Sequence, residues 1–473
     1  NDEGVVEKKI MNAGEYFNVT PPKKHRVIAI TDIILQEVST PEVDDVIRLE
    51  DDTNRADGRL EHEHQKPALC ILAAGIGSRL ENFSDHINKG LLPLDNKAII
   101  SHLINKTPND FDIVVVLGYK GDMIEEYCNI AHPDRNFIFV TVDKYQGKET
   151  GPGYSIKQAK EHLQRPFIWT TADTVITNEI PAINNNWLGV YPTSIPELYS
   201  TADVKDGQVL EFKNKSKTGY GHAFIGLAGV YDFKIFWEQL ETYKGSEIVN
   251  AYYDISAYPK MQAKQFDWYD VGTIDNYIKS QRIFENSVTY SIPKTNGEFL
   301  YKINNRYIKL SSDKDFINGR VKRSNELGRL VPTLLDNGKH LYSYQWIDGK
   351  TLYDYNDIDI WIKFLDFLKN NMWKPVEADI KSICTEFYKN KTRNRLDKFL
   401  SERDESYLNS HTINGSSVDT IESLLYDFDW KYICNGIATK LFHGDLQFDN
   451  VIYTPKNKFY LLDWRQDFAG QAI

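Results

Sequence analysis

The first apolar run in the chain, Arg26–Thr31 (RVIAIT), predicts a buried strand. An acidic, polar stretch over 42–66 with few aromatics follows and predicts a linker. The pattern changes at Pro67. Ala68–Ala73 (ALCILA) is a short apolar run that ends in glycines, and Ile99–Ile104 is amphipathic with helical spacing. Asp112–Leu117 (DIVVVL), Asn136–Val142 (NFIFVTV) and Pro166–Thr170 (PFIWT) read as strands, separated by helical stretches at Met123–Ile130 and Tyr154–Leu163. Strand and helix alternating at this spacing predict βαβ units: a Rossmann-like α/β domain with a mostly parallel sheet. Ligands are then expected at the carboxyl ends of the strands.

A second change follows Asn286. Residues 298–310 (EFLYKINNRYIKL) alternate like an antiparallel hairpin turning at Asn304–Asn305. Helical patterns dominate Ile358–Leu400 and Val418–Ala438. Strands first and helices later predict an α+β domain. A chain of 473 residues is too long for one ordinary core. The reading is an N-terminal extension or partial domain at 1–66, an α/β domain at 67–288 and an α+β domain at 289–473.

Composition narrows the function classes. A net charge of −11 argues against nucleic acid as a partner, since phosphate backbones need clustered Lys and Arg. Small phosphorylated molecules need only a few local cations and remain open. Four scattered cysteines form no CxxC pair, which favours reduced thiols and a cytoplasmic protein over a disulfide or zinc framework. No apolar run approaches the ~18 residues of a membrane span, and the N-terminus lacks a signal pattern. Nothing in the sequence fixes an oligomeric state.

The strand ending at Leu72 runs into Ala73-Ala74-Gly75-Ile76-Gly77-Ser78-Arg79-Leu80, and Asn88-Lys89-Gly90-Leu91-Leu92-Pro93 follows. Small residues let backbone N–H groups approach an anion, and a helix is expected to present its N-terminus to phosphate. Arg79 and Lys89 add cations able to reach the same phosphates. Taken alone, the glycines are equally those of a tight βα turn. Asp173 directly follows the PFIWT strand, and Asp270 stands in Trp268-Tyr269-Asp270-Val271-Gly272-Thr273. Either Asp alone could be a turn residue; as a pair they suit Mg²⁺, which takes one or two carboxylates plus phosphate oxygens.

The string LAAGIGSRL…NKGLLPL resembles the opening motif of the nucleotidyltransferases that make NDP-sugars and CDP-alcohols. The resemblance extends to about residue 285 and includes the late WxDxGT motif. It implies that a phosphorylated substrate attacks the α-phosphate of an NTP, CTP or UTP being favoured, and releases pyrophosphate. It implies nucleotide contacts from Ala73, Ala74, Gly75, Gly77 and Ser78, catalytic Arg79 and Lys89, and Mg²⁺ on Asp173 and Asp270. Gly153, in Gly151-Pro152-Gly153-Tyr154-Ser155, is either a nucleotide-side turn or a plain helix start. Lys215 is the match for the lysine that holds the acceptor phosphate. The family's Glu and Pro around it are replaced by Asn214 and Ser216, which departs from the usual sugar-phosphate pattern.

Near the end stands Phe442-His443-Gly444-Asp445-Leu446-Gln447-Phe448-Asp449-Asn450, then Phe459-Tyr460-Leu461-Leu462-Asp463-Trp464. Phosphoryl transfer needs a carboxylate at the acceptor and further oxygen ligands for Mg²⁺, and this spacing supplies them. The pattern resembles the aminoglycoside phosphotransferase and choline kinase family. That implies catalytic Asp445, Mg²⁺ on Asn450 and Asp463, and ATP gripped by Lys309 with Glu326 as its partner. Lys309 is otherwise a solvated strand lysine. Tyr344-Gln345-Trp346-Ile347 would read adenine. The sequence given stops at Ile473, short of the helices that members of this family carry beyond that point.

Together the halves predict a bifunctional enzyme. One half phosphorylates a sugar, choline or similar small metabolite, and the other activates the product to an NDP- or CDP-linked donor, for surface-glycan or capsule biosynthesis. The alternatives are a nucleotidyltransferase with a regulatory or inactive kinase-like half, and a non-enzymatic nucleotide-binding scaffold.

Overall fold

The computed structural model describes residues 8–19, 25, 27–31, 34–35, 66–147, 149–243, 245–284, 297–355, 357–403 and 411–466. The chain divides into two compact units, Asn1–His64 and Gln65–Ile473. The described residues of the first unit form no helix or strand. The strand expected at Arg26–Thr31 is absent from its described part: Val27, Ile28 and Ile30 are exposed. Apolar residues make a strand only when a neighbouring edge takes their backbone hydrogen bonds, and none does so here among the described residues. The predicted linker lies outside the described residues except for Lys66, as does the expected domain boundary at 288.

The second unit is built on a nine-stranded sheet, in the order Phe137–Thr141, Asp112–Leu117, Ala68–Leu72, Phe167–Thr171, His222–Val230, Trp187–Pro192, Gln262–Gln265, Gln208–Lys213, Thr201–Lys205. The first four strands are mutually parallel. From His222–Val230 onward the pairing is antiparallel except between Trp187–Pro192 and Gln262–Gln265. The sheet is therefore mixed, not mostly parallel as expected. The expectation failed because the antiparallel half carries no βαβ rhythm: its edge strands Gln208–Lys213 and Thr201–Lys205 are partly polar, and the long strand His222–Val230 is not set off by helices in that alternation.

The parallel half follows the sequence pattern closely. Ala68–Leu72 is buried throughout and Asp112–Leu117 nearly so, as central strands covered on both faces must be. The covering helices include Ile99–Lys106 and Gly121–Ala131 on one face and Pro152–Gln158 and Phe233–Thr242 on the other. In order of sequence these parallel strands lie 3-2-1-4, so the order reverses between Ala68–Leu72 and Phe167–Thr171. A crevice opens at such a reversal, at the carboxyl ends of the strands.

The second half begins with the expected hairpin. Glu298–Ile303 pairs with Arg306–Ser311 through the turn Asn304–Asn305, with Asn304 at φ +51°. The hairpin belongs to a four-stranded antiparallel sheet completed by Leu341–Gln345 and Leu334–Asn337. Its side chains alternate between two cores. Phe299, Tyr301, Ile303, Ile308, Leu310 and Leu341 join the core of the first half. Tyr342 and Tyr344 face the other way, into a core shared with the helices Lys314–Leu327 and Ile358–Asn371 and with Trp464. The helical stretch predicted to reach Leu400 is interrupted after Asn371 and resumes at Lys381. Among the described residues no helix is long and apolar enough to cross a membrane.

Candidate functional site

At the reversal, the strand Ala68–Leu72 hands over to the loop 73–77 and the strand Phe167–Thr171 hands over to Asp173. The two ends are held together by the Ala172 N–H donating to the Leu72 carbonyl (3.2 Å). Ala73 and Ala74 are buried, while Gly75, Ser78 and Arg79 are exposed and Gly77 sits at φ +75°. The α-helix expected after this loop is a six-residue 3-10 turn, Ser78–Phe83, so phosphate binding by a helix N-terminus is not available here. What the loop offers instead is exposed backbone and Arg79.

The shape of the loop comes from residues outside it. A Cβ on Gly118 would lie 2.6 Å from the Ala74 carbonyl, so only glycine permits the two backbones to touch. The Tyr119 N–H donates to the same carbonyl (2.9 Å). Asn88, fully buried, donates to the carbonyls of Ala73 (2.9 Å) and Tyr119 (2.8 Å) and accepts from the Gly90 N–H (2.9 Å). Asn88 thus joins the loop to the 3-10 turn Lys89–Leu91.

Lys89 projects from that turn onto Asp173, with Nζ 2.8 Å from Oδ2. Both side chains are about one-sixth exposed, which leaves them open to a ligand. Burial works against the Asp173 charge, but the Lys89 ammonium and hydrogen bonds from Lys89 and Thr171 prevail, and its carboxyl is held below the ordinary range. Asp270 arrives on the short strand Trp268–Asp270, which pairs with Thr174–Ile176 just past Asp173. Its carboxylate is oriented by the Gly272 N–H (2.9 Å) and Asn276 Nδ2 (3.0 Å). The Tyr199 phenol is pushed up first by burial and then by the Asp270 carboxylate. Four charged groups meet at Gly272: a Cβ there would be 3.1 Å from both Asp173 Oδ2 and Asp270 Oδ1 and 3.7 Å from Arg79 Nη2, and Lys89 is bound to Asp173.

The remaining first-half candidates are not among the groups that meet at Gly272. Lys215 is exposed at φ +37° on a loop whose neighbour Asn214 accepts from Ser200 (2.7 Å). Gly153 is buried, and a Cβ on it would lie 2.7–2.9 Å from the backbone of Ser246 and Glu247. That close packing accounts for the glycine as a helix start. The sequence reading missed Asn88, Gly118, Tyr199 and Asn276. Asn88 had a signal, its place beside Lys89; Gly118 had one too, ending a strand. Tyr199 and Asn276 had none.

In the second half, Lys309 is nearly buried and pairs with both Asp463, in its closest contact, and Glu298 (3.2 Å). Arg320 reaches Asp463 as well (3.2 Å). The expected Lys309–Glu326 pair is not formed; Glu326 takes Arg323 from its own helix (2.8 Å). Glu298 is a diagonal cross-strand neighbour of Lys309 and wins by proximity. Asp445 is held by Gln447 Nε2 (3.0 Å) and Arg465 (3.5 Å), and Asn450 Nδ2 donates to the Asp445 carbonyl (2.9 Å). His443 is buried, and burial pushes its pKa down to about 4, so it is a neutral structural imidazole. The amides of Gln345 and Trp346, expected to read adenine, already donate to Thr333 (3.0 Å) and Asn305 (3.1 Å).

Residues 69–181 match the model of the MobA-like NTP transferase domain. The chain is 24% identical over 234 residues to the bifunctional protein GlmU of Methanococcus maripaludis, covering 47% of this chain and 55% of that protein. It is 27% identical over 108 residues to the UTP–glucose-1-phosphate uridylyltransferase AglF of Haloferax volcanii, covering 22% of this chain and 42% of that one. A UDP-glucose pyrophosphorylase crystallised with UDP-glucose is similar at 18% identity and a TM-score of 0.40, covering 46% of this chain and 98% of that one. The chain spans about half the length of the GlmU proteins it matches. Its N-terminal half carries an NTP transferase domain.

Proposed function

We propose that residues 68–284 catalyse nucleotidyl transfer: a phosphate oxygen of a phosphorylated small metabolite attacks the α-phosphorus of an NTP. The bond to the β-phosphate breaks, and pyrophosphate leaves. The observation that carries this reading is the meeting of Arg79, Lys89, Asp173 and Asp270 at Gly272, on the strand ends where an α/β sheet binds ligands. Backbone N–H groups of Ala74–Ser78, with Arg79 and Lys89, bind the triphosphate, while the Ala73 N–H is spent on the Val116 carbonyl (3.0 Å); Lys215 receives the acceptor phosphate. Asp173 and Asp270 suit Mg²⁺, a hard cation that takes one or two carboxylates and completes its shell with phosphate oxygens. Among the described residues there is no cluster of three or more acidic, His or Cys side chains to hold an ion by protein alone. When bound, the ion would neutralise charge on the reacting phosphates. The chain's own part is alignment: Gly272 and Asn276 fix the Asp270 carboxylate, and Asn88 fixes the loop and the Lys89 turn.

The name of AglF, a UTP–glucose-1-phosphate uridylyltransferase, favours a sugar phosphate and UTP; CTP with an alcohol phosphate such as phosphocholine is the other acceptor class. The test is pyrophosphate release with CTP, UTP, GTP and dTTP, each with sugar phosphates and phosphocholine in Mg²⁺. The reading fails if no NTP turns over and Asp270→Ala leaves NTP binding in Mg²⁺ unchanged.

A second reading concerns residues 297–466. The pairing of Lys309 with Asp463, and the hydrogen bond that ties Asn450 to the Asp445 carbonyl, support a kinase-like phosphotransferase using ATP and Mg²⁺. It would supply the phosphorylated metabolite to the first half, making the chain bifunctional in a cytoplasmic route to surface glycans. ADP production with choline, sugars and amino alcohols tests this; ADP release that no acceptor stimulates would remove it.

A further inference from the structure

The turn Lys89–Leu91 is clamped from three sides. Asn88 holds its start, and Gly90 lies against Ala172, to which a Cβ on Gly90 would come within 3.3 Å. The third clamp comes from the second half of the chain. The Tyr301 hydroxyl donates to the Leu91 carbonyl (2.5 Å) across 210 residues of sequence. Carbonyls at the end of a one-turn helix lack an intrahelical donor, and Leu91 is fully buried from water. Tyr301 is itself fully buried, and burial pushes its phenol well above the ordinary value, so it remains a donor. Its ring packs edge-on against Tyr127 (5.0 Å), whose hydroxyl is tied to Ser101 (2.8 Å). The next residue, Lys302, donates its N–H to the Asn96 carbonyl (2.7 Å). Tyr301 therefore stands on a rigid base.

We infer that Tyr301 is a positioning residue of the first site, holding from the second half of the chain the turn that aims Lys89 at Asp173. The inference rests on the nucleotidyl-transfer reading for its activity readout. Lys89 lies two residues from the held carbonyl on a long, flexible side chain, so a small rotation of the turn becomes a large displacement at Nζ. In-line displacement is sensitive to displacements of that size. The hairpin is then more than a lid on the apolar core; its edge strand completes the frame of the site.

The test is a double-mutant cycle with Tyr301→Phe, which keeps the ring and removes only the donor, and Lys89→Ala. Tyr301→Phe lowers kcat/KM for pyrophosphate release roughly tenfold in the wild type. In the Lys89→Ala background it changes kcat/KM less than about twofold, because the group it positions is already gone. Equal losses in both backgrounds, or no loss in the wild type, overturn the proposal. A second measurement stands free of turnover. Reductive methylation of the folded protein, followed by peptide mass, compares Lys89 with the exposed Lys205. Tyr301→Phe raises the relative labelling rate of Lys89 severalfold; an unchanged ratio overturns the proposal even if the chain transfers no nucleotide. Absence of turnover in the wild type, with the labelling shift present, removes the functional reading and leaves the positioning role.

Discussion

The loop carrying Arg79 and the turn carrying Asp463 both hold charge beside a strand end, but they are built from different materials. Around the first, the shaping contacts are neutral and close: Gly118 against Ala74, Gly90 against Ala172, and the fully buried amide of Asn88 on two carbonyls. The ions, Lys89 and Asp173, are added on top and stay partly exposed. Around the second, the ions are the frame. Arg323 is 1% exposed, Arg320 3% and Lys309 9%, and they bind Glu326, Asp463 and Glu298. A neutral frame tolerates loss of a charge structurally and loses only chemistry. A frame made of buried ions loses stability with the charge, because the partner is left desolvated and unpaired.

Four experiments press on this contrast. The largest effect is expected from Asp270→Ala, which should lower pyrophosphate release roughly 10²–10³-fold, the scale of losing one electrostatic contact in a transition state. Its urea midpoint should stay close to wild type, and any ADP production by the second half should be unchanged. Loss of both activities would mean that the halves do not work separately. Lys309→Ala should do the reverse, lowering unfolding stability by about 3 kcal/mol in urea by stranding Glu298 and removing one of the two cations, Lys309 and Arg320, on Asp463. A change near zero would show that those carboxylates are hydrated, and the contrast would fail.

Asn88→Ala should cost about 2 kcal/mol, the cost of leaving buried backbone groups of Ala73, Tyr119 and Gly90 unpaired. It should also lower kcat/KM, since the same amide joins the loop to the Lys89 turn. An activity loss without a stability loss would move Asn88 out of the frame. The smallest effect concerns pH. The Asp173 carboxyl is lower in the folded state than in the unfolded chain, so the stability it contributes is full above the ordinary carboxylate range. That stability is lost as pH falls through the folded value. Asp173→Asn should therefore differ from wild type by less than about 1 kcal/mol at neutral pH, the scale of a partly exposed ion pair. The difference should shrink below the carboxylate range and stay constant above it. A difference that grows on acidification would reverse the sign and refute the pairing.

Legibility along the chain follows the same division. The parallel half was readable because its central strands are apolar on both faces, as in Asp112–Leu117, and are spaced by helices. The antiparallel half was not: Gln208–Lys213 alternates buried and exposed residues irregularly, and Thr201–Lys205 ends in charge. The motif residues Arg79, Lys89, Asp173 and Asp270 were legible as a set and are brought together. Glu326 was assigned to Lys309 by order along the chain, whereas the hairpin puts Glu298 closer. The strand expected at Arg26–Thr31 shows the limit of an apolar run taken without its neighbours.

By itself the sequence determined the four parallel strands, the helices Ile99–Lys106 and Gly121–Ala131, the Asn304–Asn305 hairpin, and an inventory of candidate phosphate- and metal-binding side chains. Periodicity and turn chemistry are local properties, set by a residue and its few neighbours. Only the tertiary structure decided the order of strands, and with it which ends face one crevice. It alone placed Gly118 on Ala74, chose Glu298 over Glu326 for Lys309, and set Tyr301 on the carbonyl beside Lys89. Those contacts join residues far apart in the chain. They depend on sheet order and on how two cores share one hairpin, which no local pattern encodes.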